Sequence, residues 1–314
     1  PSGKLHLGNY LGAIKNWINL QETHQAVYAV VDLHGMTTPY DPSTRQAEIR
    51  EVVVDYSAAG LDPKKCLIIV QSHIPEHLEL AWILSTVTPV SWVERVPTYK
   101  EKVEKHPDYV NLGLLSYPAL MAADILLYKA DEVPVGEDQI PHIELTREIA
   151  KRFNKTFANI LPYPKPVLSH GKRIMSLKNP LEKMSKTGDE SIALSDSPEE
   201  IEKKIKRAVT DTGDDTATKS PGVANLFTLL SEFSKPSVFA QFQKEHQQGT
   251  LRYSDLKAQL AQDIAVYFAP FRKKRKELLE NPEQVDAILE SSETEARRIA
   301  KKNLKEIKKV CGLI

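Results

Sequence analysis

At 314 residues the chain exceeds what one hydrophobic core usually organises, so two domains are expected. Lys plus Arg balances Asp plus Glu at 42 each, which excludes an overall field driving the protein onto nucleic acid or an acidic membrane; any RNA contact must come from a local patch. No apolar run approaches the roughly 20 residues of a membrane span and no charged-then-apolar leader opens the chain, so a cytoplasmic location is expected. Cys66 and Cys311 have no partner motif and support neither a disulfide framework nor a zinc or iron–sulfur site. The numbering opens at Pro1 without an initiator Met, and further residues are expected upstream.

The segment from Pro1 to Tyr10 is rich in turn formers and feeds an amphipathic helix carrying Leu11, Ile14, Trp17, Ile18 and Leu20. Gly8 and Asn9 then lie at a helix N-terminus, where free N–H groups favour phosphate, with His6 near enough to add a hydrogen bond. Taken singly, a His in such a turn reads equally as a solvated loop residue. Residues 26–31 form a continuous apolar run suited to a strand buried on both faces, ending in Asp32-Leu33-His34-Gly35. Asp41-Pro42 starts a helix that Gly60 ends, and 66–70 is the next buried strand, closing on Gln71-Ser72-His73. This alternation predicts a Rossmann-type, doubly wound parallel sheet with ligands beyond the strands' carboxyl ends. His73 and His77 have helical metal spacing, but Pro75 should begin the helix between them, so both read as structural.

Residues 117–128 are apolar nearly all round and predict a buried helix with Asp124 in its middle. A buried carboxylate must be hydrogen-bonded: either to a group of the protein or to a ligand donor such as an indole N–H or a phenol O–H. Residues 132–135 are a short strand, followed by Gly136-Glu137-Asp138-Gln139 and a helix through Asn154. Gly136 permits close backbone approach, and Asp138 reads as a ribose ligand or an N-cap. A proline-rich connector leads through Arg173-Ile174 to Lys183-Met184-Ser185-Lys186-Thr187. These two lysines and two hydroxyls in a polar segment read as a solvated loop or as a clamp on a polyanion such as pyrophosphate.

Ser197-Pro198-Glu199-Glu200 opens an all-helical remainder with an N-cap, an N1 proline and a capping-box Glu. A helix from Ser254 should kink or end at Pro270. Arg272-Lys273-Lys274-Arg275 then reads as an RNA-backbone patch or as a solvated basic face.

Together these elements resemble the class I aminoacyl-tRNA synthetases, and among them the bacterial-type tryptophanyl-tRNA synthetases. The resemblance is carried by PSG-x-L-x-L-GN at Pro1 to Asn9, YPALMAADILLY at Tyr117 to Tyr128, VPVGEDQ at Val133 to Gln139 and KMSKT at Lys183 to Thr187. It implies a Rossmann-type catalytic domain over 1–190 and an α-helical anticodon-recognition domain over 191–314, with the last helix able to pack back on the first. It also implies a homodimer, and Mg-ATP-dependent activation of L-tryptophan followed by transfer to tRNA(Trp), magnesium arriving with the nucleotide and no metal site belonging to the protein. By resemblance, Pro1, Ser2, Gly8, Asn9, Gly136, Glu137, Asp138 and Ile174 hold ATP together with Lys183, Met184, Ser185, Lys186 and Thr187. His6, Asn9, Lys183 and Lys186 would stabilise departing pyrophosphate. Asp124 would accept the indole N–H, Tyr117 and Gln139 would lie near the α-amino group, His34 near the reacting carboxylate, and Met121 in the tryptophan site.

The chain departs from the family pattern at Thr187, which keeps the hydroxyl, at Ile140-Pro141, and at Val96-Pro97-Thr98-Tyr99, onto which no role is carried. The family's first strand and a ligand-contacting Gln should precede Pro1. The alternatives are a tyrosyl-tRNA synthetase, or a catalytically silent, tRNA-binding relative.

Overall fold

The computed structural model describes residues 4–168, 174–184, 191–210 and 220–314. It opens with α1 (Leu7–Asn9), passes without a break through wider, π-type turns over Tyr10–Ile14, and continues as α2 (Lys15–Leu20). Then come β1 (Ala26–Val30), α3 (Asp32–Gly35), α4 (Pro42–Ala59) and β2 (Cys66–Val70). Asp41 caps α4 by accepting from Ser43 N, and Gly60 ends it at φ +121°, a conformation side chains resist. After β2 follow α5 (Glu76–Ser85), α6 (Val90–Val93), α7 (Pro97–Lys105) and α8 (Leu112–Leu126). The buried helix starts earlier than its apolar run suggested, because Asn111 accepts from Leu114 N and caps it.

β3 (Glu132–Val135), α9 (Ile140–Thr156) and β4 (Lys165–Leu168) complete the α/β part. Pro141 sits in the first turn of α9, where its missing N–H costs nothing, so Ile140-Pro141 starts the helix rather than disturbing it. β1 pairs with β2 and β3 with β4, both parallel. Val30, Ile68 and Val70 pack on Val53 and Val54 of α4, while Ile69 packs with Leu80, Leu84, Ala122 and Leu126 of α5 and α8. Helices therefore cover both faces of the β1–β2 pair, the condition under which strands can be apolar throughout.

The remainder is helical: α10 (Pro198–Lys206), α11 (Pro221–Phe233), α12 (Pro236–Gln247), α13 (Tyr253–Tyr267), α14 (Ala269–Glu280) and α15 (Pro282–Val310). Ser197 and Glu200 form the expected capping box, and Pro270 falls in the first turn of α14, separating it from α13. α15 returns along β2 and α5: Ala296, Ala300, Leu304 and Ile307 share a core with Ile69, Leu80, Ile83 and Phe153, and Asn303 Nδ2 donates to Leu127 O at 2.8 Å.

The basic run is divided by packing. Arg275 points inward, its Nε 2.7 Å from Asp55 Oδ1 on α4 and its other nitrogen paired with Glu51, and Arg272 donates to Ala265 O. Lys273 and Lys274 remain exposed. No described helix is long and apolar enough to cross a membrane.

Candidate active site

Polar side chains gather where β1 and β2 end. Asp32, first residue of α3, accepts from Ser72 N at 3.0 Å and so ties the two strand ends together. Two residues on, His34 Nε2 lies 2.9 Å from Asp124 Oδ2. Gln71 Nε2 lies 2.8 Å from both Asp124 oxygens, and His77 Nδ1 lies 2.6 Å from Oδ1. His77 Nε2 in turn meets the Tyr128 hydroxyl at 2.9 Å. Burial by itself would raise the Asp124 carboxyl, but hydrogen bonds and positive potential from His34 and His77 outweigh it and hold the group below its ordinary range. Burial, reinforced by the Asp124 and Glu76 charges, pushes the Tyr128 hydroxyl upward, so it stays protonated.

Of the two partners open for Asp124, the fold supplies protein groups. They differ in freedom: the His77 side chain and Gln71 are 0% exposed, whereas the His34 side chain is 16% exposed.

Tyr117, two turns before Asp124, faces His34 edge-on and shares a 2.9 Å hydrogen bond with His142 Nε2; burial pushes its hydroxyl up to about 12. Burial lowers the His142 imidazole, with the Lys102 and His34 charges adding and Asp138 opposing. His142 Nδ1 is buried with no hydrogen-bond partner among the described residues. Asp138 carries the chain onward. The hydrogen bond from Gln139 and then, against burial, the Lys183 charge hold its carboxyl below the ordinary range. A Cβ on Gly136 would sit 2.7 Å from Asp138 Oδ1, so the glycine is what lets that carboxylate fold back over its own turn.

The lysine segment is anchored on either side of the residues described. Met184 N donates to Ile174 O at 3.0 Å and Ser176 N to Glu182 O at 2.8 Å, making a narrow antiparallel pair that presents Lys183 to solvent. Asn225 of α11 grips its other strand, with bonds to Met175 N and O. Ile174 and Met184 are core residues, and the Met184 Cβ would lie 3.7 Å from a Cβ on Gly8. Farther along the chain, Ile192 O accepts from Leu7 N at 3.0 Å. The N-terminal turn and the lysine segment therefore share one wall. There His6 Nδ1 accepts from Gly8 N at 3.1 Å and Asn9 Oδ1 from His6 N, so the imidazole shapes the turn as an N-cap.

The structure thus brings His6, Gly8, Asn9, Ile174, Lys183 and Met184 to one wall, hydrogen-bonds Tyr117 to His142 and His34 to Asp124, and sets Asp138 where it feels the charges of Lys183 and His142. Glu137 lies exposed beside Asp138, and Met121 is half-buried one turn before Asp124. Pro1, Ser2, Ser185, Lys186 and Thr187 lie outside the described residues.

Sequence reasoning missed four participants. Gln71 was signalled only as a polar residue ending a buried strand, and His77 only as half of the His73/His77 pair read as structural. Thr98 hydrogen-bonds Tyr117 although its segment carried no expected role. Lys102, desolvated and therefore lowered, stands 5.0 Å over the Tyr117 ring and 3.2 Å from Thr37 Oγ1.

The free N–H groups expected at the start of α1 are engaged within the chain, Leu7 N by Ile192 O, Gly8 N by His6 Nδ1 and Asn9 N by His6 O, so that turn offers no open anion site. A parallel sheet covered by helices, a lysine segment packed on the N-terminal turn and a buried carboxylate at the strand ends fit a class I synthetase. The family described as tRNA synthetases class I (W and Y) matches residues 1–269. The chain is 42% identical over 315 residues to tryptophan–tRNA ligase 2 of Streptomyces avermitilis, covering 97% of this chain and 92% of that one. It is also 42% identical to the Bacillus anthracis tryptophan–tRNA ligase, covering 100% and 96%. Among solved structures, tryptophanyl-tRNA synthetase from Campylobacter jejuni complexed with ADP and tryptophan superposes with a TM-score of 0.89 at 35% identity, covering 100% and 98%. The chain belongs to the class I tRNA synthetases and, within them, to the bacterial-type tryptophanyl-tRNA synthetases.

Proposed function

We propose that this chain activates L-tryptophan with ATP to tryptophanyl-adenylate and pyrophosphate, and transfers the tryptophan to the 3′-terminal adenosine of tRNA(Trp). The observation that carries the reading is a carboxylate held ionised in the centre of an apolar helix, at the strand ends where Tyr117 and His142 are hydrogen-bonded and Asp138 feels the charges of both His142 and Lys183. Activation is an in-line attack of the amino-acid carboxylate on the α-phosphorus, so the protein supplies position and charge rather than a nucleophile. Asp124 takes the indole N–H, with Met121 beside it. Tyr117 and Gln139 receive the α-amino end, and His34 the carboxylate. Gly8, Asn9, Gly136, Glu137 and Asp138 hold the nucleotide with Ile174 and Met184 behind it, and Pro1, Ser2, Ser185 and Thr187 join them. Lys183 and Lys186 meet the charge that grows on pyrophosphate, with Asn9 and His6. Magnesium enters as part of the nucleotide substrate.

The domain boundary near residue 190, cytoplasmic location and a homodimer belong to the same proposal. Exposed Leu78 and Trp82 on α5 and Leu112 at the start of α8, the last two 75% and 76% exposed, supply an apolar face for a second copy. Lys273, and Lys274 by exchanging its exposed pair with Glu277, are the part of the basic run that would meet tRNA phosphates.

Amino-acid-dependent exchange of pyrophosphate into ATP, run with tryptophan, tyrosine and phenylalanine in parallel, tests the reading. Exchange with tryptophan alone is expected. Exchange with tyrosine alone would sink it, and silence with all three would favour the silent, tRNA-binding alternative.

A further inference from the structure

We propose that His77 and Tyr128 form a positioning relay behind Asp124, aiming its carboxylate so that only an amino acid carrying an indole N–H completes the hydrogen bonding there. The inference rests on the tryptophan reading above and adds two residues to it. A carboxylate offers about four lone-pair directions, and His34, His77 and the bridging amide of Gln71 occupy them. His77 and Gln71 are sealed in the core, so neither can leave. His34, the partly exposed donor, is the one an incoming N–H replaces.

The direction of the relay follows from chemistry. Asp124 can only accept, so His77 Nδ1 carries the hydrogen toward it; Nε2 and the Tyr128 hydroxyl share the second hydrogen bond at 2.9 Å, with the phenol as donor whenever the imidazole is neutral. That fixes the tautomer and the ring plane. Gln71 is oriented by the same carboxylate: its Oε1 is buried with no hydrogen-bond partner among the described residues, whereas its amide nitrogen straddles both Asp124 oxygens. With these two donors fixed, the direction vacated by His34 is the one left for substrate. A substrate without the N–H leaves the buried carboxylate short of a partner, which is how such sites reject isosteres.

The test compares tryptophan with its benzothiophene analogue, in which sulfur replaces the indole N–H, by the ratio of kcat/KM in pyrophosphate exchange. His77→Gln places its amide nearer the Nε2 position and loses the donor to Asp124; the ratio is expected to fall about tenfold or more, the loss lying in tryptophan's KM. His77→Asn keeps an amide N–H near the Nδ1 position and is expected to recover part of the ratio. Tyr128→Phe, a smaller perturbation, is expected to lower it by a few-fold. If wild type discriminates while His77→Gln and Tyr128→Phe slow both substrates equally, the pair merely fills the core and the relay is overturned with the enzyme's function intact. A wild type that turns over the analogue as well as tryptophan overturns the relay and the assigned role of Asp124 together.

Discussion

Arg275→Met is expected to destabilise the whole chain through a carboxylate it does not itself carry. The Arg275 side chain is 14% exposed and its main partner, Asp55, only 6%, so removing the guanidinium strands a charge inside the contact between α14 and α4. Breaking one side of a buried pair typically costs about 3–5 kcal/mol. Two features place this case near the lower end. Asp55 keeps a hydrogen bond from the Leu5 backbone, and the second partner, Glu51, is largely solvated and contributes little. About 3 kcal/mol is therefore expected, read as the difference in urea-unfolding free energy at pH 8.

The loss should depend on pH. Burial already raises the Asp55 carboxyl above its ordinary value, against the pull of Arg275, and the substitution removes that pull. A group whose folded pKa is raised stabilises fully below its unfolded value and loses that contribution as pH rises through the folded one. The deficit should thus shrink between pH 8 and pH 5, and Asp55→Asn in the variant background should recover part of it. A deficit below about 1 kcal/mol, or one that is flat with pH, would refute the assignment of Arg275 to the interior.

Lys183→Ala should lower the rate of adenylate formation by about a hundredfold or more with little change in tryptophan affinity, because its contact grows only as pyrophosphate departs; single-turnover kinetics with equilibrium tryptophan titration separate the two. Asp124 is held below its ordinary carboxyl range, so its contribution is complete above the unfolded value near about 4 and is lost as pH falls through the lower folded one. Tryptophan binding followed by fluorescence should accordingly show no Asp124 titration down to about pH 4, and an acid limb near pH 6 assigned to this carboxyl by its loss in Asp124→Asn would contradict the assignment. Trp82→Glu should shift a dimer towards monomer in sedimentation, since it sets a charge in the apolar face of α5; an unchanged mass would move the interface elsewhere.

The elements legible in the sequence are those governed by local rules. Asp41, Gly60, Ser197 and Pro270 mark helix ends because capping and proline chemistry act within a turn or two, and the apolar runs at β1 and β2 are strands buried on both faces. Asp124 was legible as a question, since a carboxylate in an apolar helix must find a donor. Its answer was not, because His34, Gln71 and His77 arrive from 90, 53 and 47 residues away and meet only in the fold. Arg275 misled for the same reason: in a basic run, only packing decides which side chain turns inward.

The return of α15 also bears on how the chain acquires its fold during synthesis. Ala296 to Ile307 complete a core whose other side is β2, α5, α8 and α9, so that side stays partly bare while more than a hundred further residues are made. The α/β part cannot bury this surface on the ribosome before α15 exists. A piece cut near residue 190 would display the α15-binding surface to water, and should behave as a folding intermediate rather than as a free-standing enzyme.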